Sequence, residues 1–202
     1  MHMVATSHQV MGFTWGMGAI TIYNSVGYIP DQLFSTILFF AAVIIGSLIP
    51  DIDTPKSKLG GPFERWGFMF VICLVGVEIL TPGFSRSAQF LLMILSPLLF
   101  VYSGHRKFTH SIAFLALMGA YSFLLHTYIA IPLFYLVGFL TGIVSHLFGD
   151  FLTKRGIPLF YPISRKHVKF FYTFRTGSPI EVSITAALVV LNIVILSKNV
   201  LG

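Results

Sequence analysis

Charge is scarce in this chain. Of 202 residues only 10% are charged, with 13 Lys and Arg against 7 Asp and Glu, while 55% are hydrophobic and the mean hydropathy is +0.85. A soluble domain carries about 25% charged residues, so the composition excludes an ordinary soluble fold and indicates an integral membrane protein. Cysteine is almost missing as well. Cys73 stands alone inside an apolar run, which excludes an intramolecular disulfide and a thiolate metal site. No Lys or Arg precedes Lys56; the basic region of a cleavable signal peptide is therefore lacking, and the first apolar run is expected to stay in the membrane. Apolar and polar residues do not alternate along the runs, which excludes an outer-membrane barrel. Helices, which satisfy their own backbone groups, remain as the spanning architecture. With no internal repeat, low-complexity tract or linker, residues 1–202 read as a single integral membrane domain.

What is present is a series of apolar runs at about 10–29, 33–49, 67–80, 90–103, 111–131, 133–149 and 182–197. A spanning helix needs about 20 residues, or about 17 at the low end. The runs at 67–80 and 90–103 are short, and Pro97 interrupts the second. The expectation is an all-α polytopic membrane helical bundle of about five to seven transmembrane or re-entrant helices. If all seven runs span, eleven of the 13 basic residues fall on one side: Lys56, Lys58, Arg65, Arg106, Lys107, Lys154, Arg155, Arg165, Lys166, Lys169 and Arg175, against Arg86 and Lys198 opposite. By the positive-inside rule that side is cytoplasmic.

The ionisable residues suited to chemistry gather on the same side. His8 precedes the first run, Asp51 and Asp53 follow the second, His105 and His110 open the fifth, and His146 and Asp150 close the sixth. Ionisable side chains in hydrocarbon-rich sequence are costly and usually functional. In His146-Leu-Phe-Gly-Asp150 the i, i+4 spacing puts imidazole and carboxylate on one helical face, where both can bind a metal or the Asp can orient the His. A buried hydrogen-bonded His–Asp pair would look the same. In Pro50-Asp51-Ile-Asp53-Thr-Pro55 the prolines predict an extended turn, and its two close carboxylates repel unless a cation or proton lies between them. In His105-Arg-Lys-Phe-Thr-His110, Thr109 reads as an N-cap with His110 at the first helical position. Arg106 between them is suited to a phosphate or carboxylate.

Glu181 opens the last run after Gly177-Ser-Pro179 and is a candidate ligand or general base, or simply a first-turn acid that suits the helix dipole. His126 reads as a core or partner-bonded residue, and His2 and His167 as ordinary terminal and loop residues. Four His and three Asp exceed the three protein ligands of a catalytic zinc site and suit two metals sharing a carboxylate. Mixed imidazole and carboxylate favours Zn, Mn, Fe or Co over Mg or Ca.

Gly46-Ser-Leu-Ile-Pro-Asp51-Ile-Asp53-Thr-Pro-Lys-Ser-Lys58, Gly104-His-Arg-Lys-Phe-Thr-His-Ser111 and Ser145-His-Leu-Phe-Gly-Asp150 follow one another in that order. Together, from His8 to about Glu181, they resemble the LexA-regulated, membrane-bound metal-dependent hydrolases of the bacterial inner membrane. Lys107 departs from the Gly that the family commonly shows there. The resemblance implies hydrolase chemistry and DNA-damage-regulated expression, with His8, Asp51, Asp53, His105, His110, His146 and Asp150 as the metal set.

The expected function is a metal-dependent hydrolase at the cytoplasmic interface. One or two divalent transition metals, Zn or Mn foremost, would activate water. Asp53 or Glu181 would serve as general base, and Arg106 and Lys56 would neutralise a phosphate. Membrane lipid is the expected substrate or environment, with a phosphoester as the bond. Nucleic acid is not an expected partner, because topology accounts for the basic residues and no nucleic-acid module is recognisable. The competing readings are a non-catalytic metal-binding scaffold and a metal or proton transporter. Transporter sites usually lie near the midplane, where this sequence offers little beyond His126 and Asn24.

Overall fold

A computed structural model describes residues 4–25, 33–51 and 108–201. The described residues form five α-helices and no strand: α1 (Ala5–Ser25), α2 (Leu33–Leu48), α3 (Ile112–Ile129), α4 (Leu133–Phe151) and α5 (Pro179–Leu201). A 3₁₀ turn, Ile49–Asp51, extends α2. The architecture is the expected helical membrane bundle. Three helical stretches are long and apolar enough to cross a membrane: Leu33–Asp51, Leu133–Phe151 and Pro179–Lys198, while Ile112–Tyr128 is a shorter apolar helix. The runs at 67–80 and 90–103 lie outside the described residues, as do Asp53, Lys56, His105 and Arg106.

The helix ends differ from the apolar-run boundaries where polar residues are buried. Helix α1 starts at Ala5, so His8 sits within it rather than before it, and Ser7 and His8 are both buried. Hydropathy starts the run too late there because these polar residues face the protein interior. Asp51 belongs to the 3₁₀ turn rather than an extended segment; the fixed φ of Pro50 is compatible with such a turn. The N-cap of α3 is Ser111, not Thr109. Ser111 has extended dihedrals and its Oγ accepts from Phe114 N at 3.2 Å, which leaves His110 in the turn before the helix.

Helix α4 is the axis of the bundle: 56% of its span is buried, against 11% for α5. It packs on α1, α2 and α3, while α5 lies against α1. Phe114, Met118, Ile143, Leu147 and Ile157 form one core between α3, α4 and the following loop, and Phe39, Val43 and Phe134 form another between α2 and α4. The outward side of α5, with Val182, Val190 and Ile193 exposed, presents the apolar surface that a lipid-facing helix needs.

Between α4 and α5, residues 152–178 form an ordered loop tied by two isolated bridges, Thr153 with Phe174 and Ile157 with Val168. Ile112 N donates to Leu159 O at 2.9 Å, so this loop closes over the start of α3.

Candidate metal centre

The site begins with a close helix crossing. Association of helices in lipid depends on small residues that let backbones approach. Gly46 on α2 and Gly142 on α4 are such residues. A Cβ on Gly142 would stand 2.7 Å from Ser47 N and closer still to Val43 O, and one on Gly46 would collide with Phe139 O. Gly12 of α1 joins the same contact, where a Cβ would lie 3.0 Å from Ser47 Cβ. This approach brings the carbonyl of Ser47 to His146, whose Nδ1 donates to it at 2.7 Å. A carbonyl only accepts, so Nδ1 carries the proton, and the Nε2 lone pair of neutral His146 points away from Ser47.

That Nε2 faces a group of donors drawn from four parts of the chain. His110 Nε2 lies 3.3 Å from His146 Nε2. Asp150 presents Oδ2 to His110 at 3.3 Å and to His146 at 3.8 Å, and its Oδ1 to His8 Nε2 at 3.4 Å. Asp51 Oδ1 stands 3.6 Å from His110 and 3.9 Å from His146. The ring of His8 stacks on that of His146 at 3.8 Å. The other nitrogen of His110, Nδ1, is 3.0 Å from Thr109 Oγ1, so it too is held from behind, as metal-ligating histidines usually are.

Four of the five side chains are fully buried, at 0 or 1% exposure, and only Asp51 reaches the surface, at 16%. The rings of His8 and His146 and the carboxylates share this space, and among the described residues no Lys or Arg forms an ion pair with them. Among the described residues neither His8 nitrogen makes a hydrogen bond, a costly state for a buried polar group.

These residues fit a metal ion. Ligands about 2.0–2.2 Å from one ion stand about 3.4 Å apart across a tetrahedral edge, close to the donor separations here. Two triads meet this requirement, His8–His146–Asp150 and Asp51–His110–His146. They share His146, whose second nitrogen is occupied by Ser47, so both triads cannot be complete around separate ions. His110 lies outside the spans. Burial alone would depress its pKa, but hydrogen bonding to Asp150 and Asp51 and their negative charge outweigh burial and raise it to about 9. Without a metal, a proton on His110 therefore offsets the two carboxylates.

The structure thus brings together His8, Asp51, His110, His146 and Asp150. Glu181 is fully buried but otherwise engaged: Oε1 accepts from Val4 N at 2.8 Å and Oε2 from Gly177 N at 2.7 Å. With Thr185 Oγ1 3.0 Å from Ser7 Oγ, it fastens the start of α1 to α5 and so positions His8. His126 is partner-bonded, its Nδ1 2.9 Å from Ile131 O at the end of α3. His167 is an exposed loop residue. Motif reading did not single out Ser47, Gly46 or Gly142. The signal for Gly142 was the small-residue spacing Gly138-x-x-x-Gly142, which marks close helix contacts in membranes.

Residues 3–200 match the YdjM inner membrane protein family. The protein YvsG of Bacillus subtilis is 30% identical over 177 residues, 88% of each chain. The inner membrane protein YdjM of Escherichia coli is 32% identical over 122 residues, 60% of this chain and 47% of its own length, and the protein of the same name from Shigella flexneri matches equally. No solved structure gives a significant match.

Proposed function

We propose, for a chain that belongs to the YdjM inner membrane protein family and hence to the bacterial inner membrane, the function of a metal-dependent hydrolase acting at the cytoplasmic membrane interface on a lipid or other phosphoester. One observation carries this reading. Five imidazole and carboxylate side chains from α1, the 3₁₀ turn after α2, the turn before α3 and α4 converge with donor atoms 3.3–3.9 Å apart. A hydrophobic bundle that needed only stability would fill such a space with apolar side chains.

His146, His110, His8, Asp150 and Asp51 would hold the ion, with Zn or Mn preferred by the mixed N and O donors. When bound, a divalent transition metal supplies Lewis acidity that acidifies water and polarises the group being cleaved. Ser47 and Thr109 hold His146 and His110 from behind. Asp150, with one oxygen toward His8 and the other toward His110 and His146, is placed to tie the two halves of the site together. Asp51, the member that reaches the surface, marks the side from which substrate and water enter. Asp53, two residues further on, is the proposed general base. A second ion would require Asp53 or His105 as additional ligands, and Arg106 and Lys56 would neutralise the phosphate. Expression under LexA control belongs to the same reading and is checked by transcript levels after DNA damage.

The near-complete burial of four ligands favours one alternative, a closed structural metal site without catalysis. Elemental analysis of the detergent-purified protein, followed by a phosphoester and lipid screen with the metal found, separates the two. About one or two equivalents of metal and an activity lost on chelation without unfolding support the hydrolase. Tightly bound metal without activity supports the structural site, and no metal after reconstitution with Zn, Mn or Fe refutes both.

A further inference from the structure

The loop after α4 carries a second site. Thr153 lies three residues beyond Asp150, with both its backbone N and its Oγ1 bonded to Asp150 O, at 3.0 and 2.8 Å. Thr153 then bridges to Phe174 in parallel, and Lys154 N donates to Phe174 O at 3.0 Å. This pairing sets residues 154–155 beside 175–176. Between them is a cavity of about 290 Å³ lined by Lys154, Arg155, Arg175 and Thr176.

The side chains of three exposed cations border this small cavity, and no carboxylate of the described residues stands beside them. The acids Asp51, Asp150 and Glu181 are engaged elsewhere, and among the described residues none pairs with Lys154, Arg155 or Arg175. Guanidinium groups bind phosphate through paired, charge-assisted hydrogen bonds. The volume is near the lower bound of small-ligand pockets, about 300 Å³, which suits a headgroup rather than a large solute. At no more than about 3.6 Å per residue, Lys154 lies within about 14 Å of Asp150 along the backbone.

The surroundings indicate the source of the phosphate. The loop joins two membrane-spanning stretches, so it lies at a membrane face. It exposes Phe160, Ile163, Phe171 and Tyr172, at 52, 95, 78 and 77%. Aromatic residues beside basic ones are the usual furnishing of a lipid interface. A pocket for soluble phosphate has no need of them.

We propose that the pocket formed by Lys154, Arg155, Arg175 and Thr176 is a phosphate subsite for an anionic lipid headgroup, beside the metal centre. Its role as a substrate subsite rests on the hydrolase reading; its existence as a lipid-phosphate site does not.

The test is calorimetric titration of the detergent-purified protein with dihexanoyl phosphatidic acid, dihexanoyl phosphatidylcholine and inorganic phosphate. Wild type, Arg155→Gln/Arg175→Gln and Asp150→Asn are compared, each with its metal content and melting temperature. Phosphatidic acid is expected to bind about tenfold or more tighter than the other two, and the double arginine variant to lose about tenfold or more while keeping its metal and its melting temperature. Asp150→Asn should lose metal yet keep lipid binding. Inorganic phosphate binding as tightly as phosphatidic acid would make this a free-phosphate site and overturn the lipid assignment. Absent binding in wild type, or unchanged binding in the arginine variant, overturns the pocket, as does lipid binding lost only in Asp150→Asn. A wild type without metal defeats the hydrolase reading alone, and the lipid titration still decides the pocket.

Discussion

Replacing Gly142 with Ala should weaken the metal centre although the residue is not a ligand. The new Cβ would stand 2.7 Å from Ser47 N, where an ordinary contact is about 3.4 Å or more, so α2 and α4 must separate by about 0.7 Å or more. Clearing Val43 O requires a further shift. The bond from His146 Nδ1 to Ser47 O, now 2.7 Å, then passes about 3.5 Å and ceases to hold the ring. Overpacking costs about 1–3 kcal/mol, and leaving a buried N–H without its acceptor costs about 1–3 kcal/mol more. Losing the group that orients a metal-bound His typically lowers metal affinity about 10–100-fold.

The assay is competition for the metal against a chromophoric chelator, with melting measured in the same detergent. Gly119→Ala on α3 is the control, because its Cβ meets nothing within 4 Å. That variant should keep its metal and gain about 0.5–1 kcal/mol from the lower entropy of Ala. If Gly142→Ala folds and binds metal like the control, the helix crossing does not orient His146 and the account of the site is wrong.

Substituting His8→Phe keeps a ring against His146 and removes both unbonded nitrogens. It should preserve folding while lowering metal affinity about tenfold or more, and undiminished affinity would remove His8 from the ligand set. Glu181→Gln replaces one of two acceptors with a donor facing a backbone N–H, and should cost about 1–3 kcal/mol of stability with the ion retained. Hydrolysis abolished at unchanged stability would instead make Glu181 the base. In the metal-free protein His110 has its pKa raised from 6.5 to about 9. The stabilisation from that proton is full below pH 6.5 and lost as pH rises through about 9, and at pH 7 metal binding must displace about one proton. Titration calorimetry in two buffers of different ionisation enthalpy reads that proton; equal apparent enthalpies would contradict the coupling of His110 to Asp51 and Asp150.

Much of the bundle was legible from composition because apolar runs of spanning length have few alternatives in a membrane. The gathering of five His and Asp side chains was legible for a related reason. His and Asp stand out in such sequence, and helices of similar length bring run ends to a common level. Helix starts were less legible. Ser7 and His8 are polar by type but interior by position, so hydropathy placed the beginning of α1 too late. The cap of α3 was misplaced by two residues because Thr109 and Ser111 are both good caps, and the bond from Phe114 N to Ser111 Oγ decides between them. Ser47 acts through its backbone carbonyl, which no side-chain motif can report. The function of Glu181 was ambiguous because a first-turn acid, a base and a backbone acceptor share one residue type, and only the positions of Val4 and Gly177 distinguish them.

The hydrogen bond from Val4 to Glu181 joins residues 177 positions apart. Chains emerge from the ribosome at about 5–20 residues per second, so α1 enters the membrane about 9–35 seconds before the residue that fastens it is made. Throughout that interval His8 lacks the neighbours that place it against His146 and Asp150. On the metal-site proposal, loading would be a closing step of biogenesis, and a chain halted before α5 would reach the membrane without the bond that fastens α1.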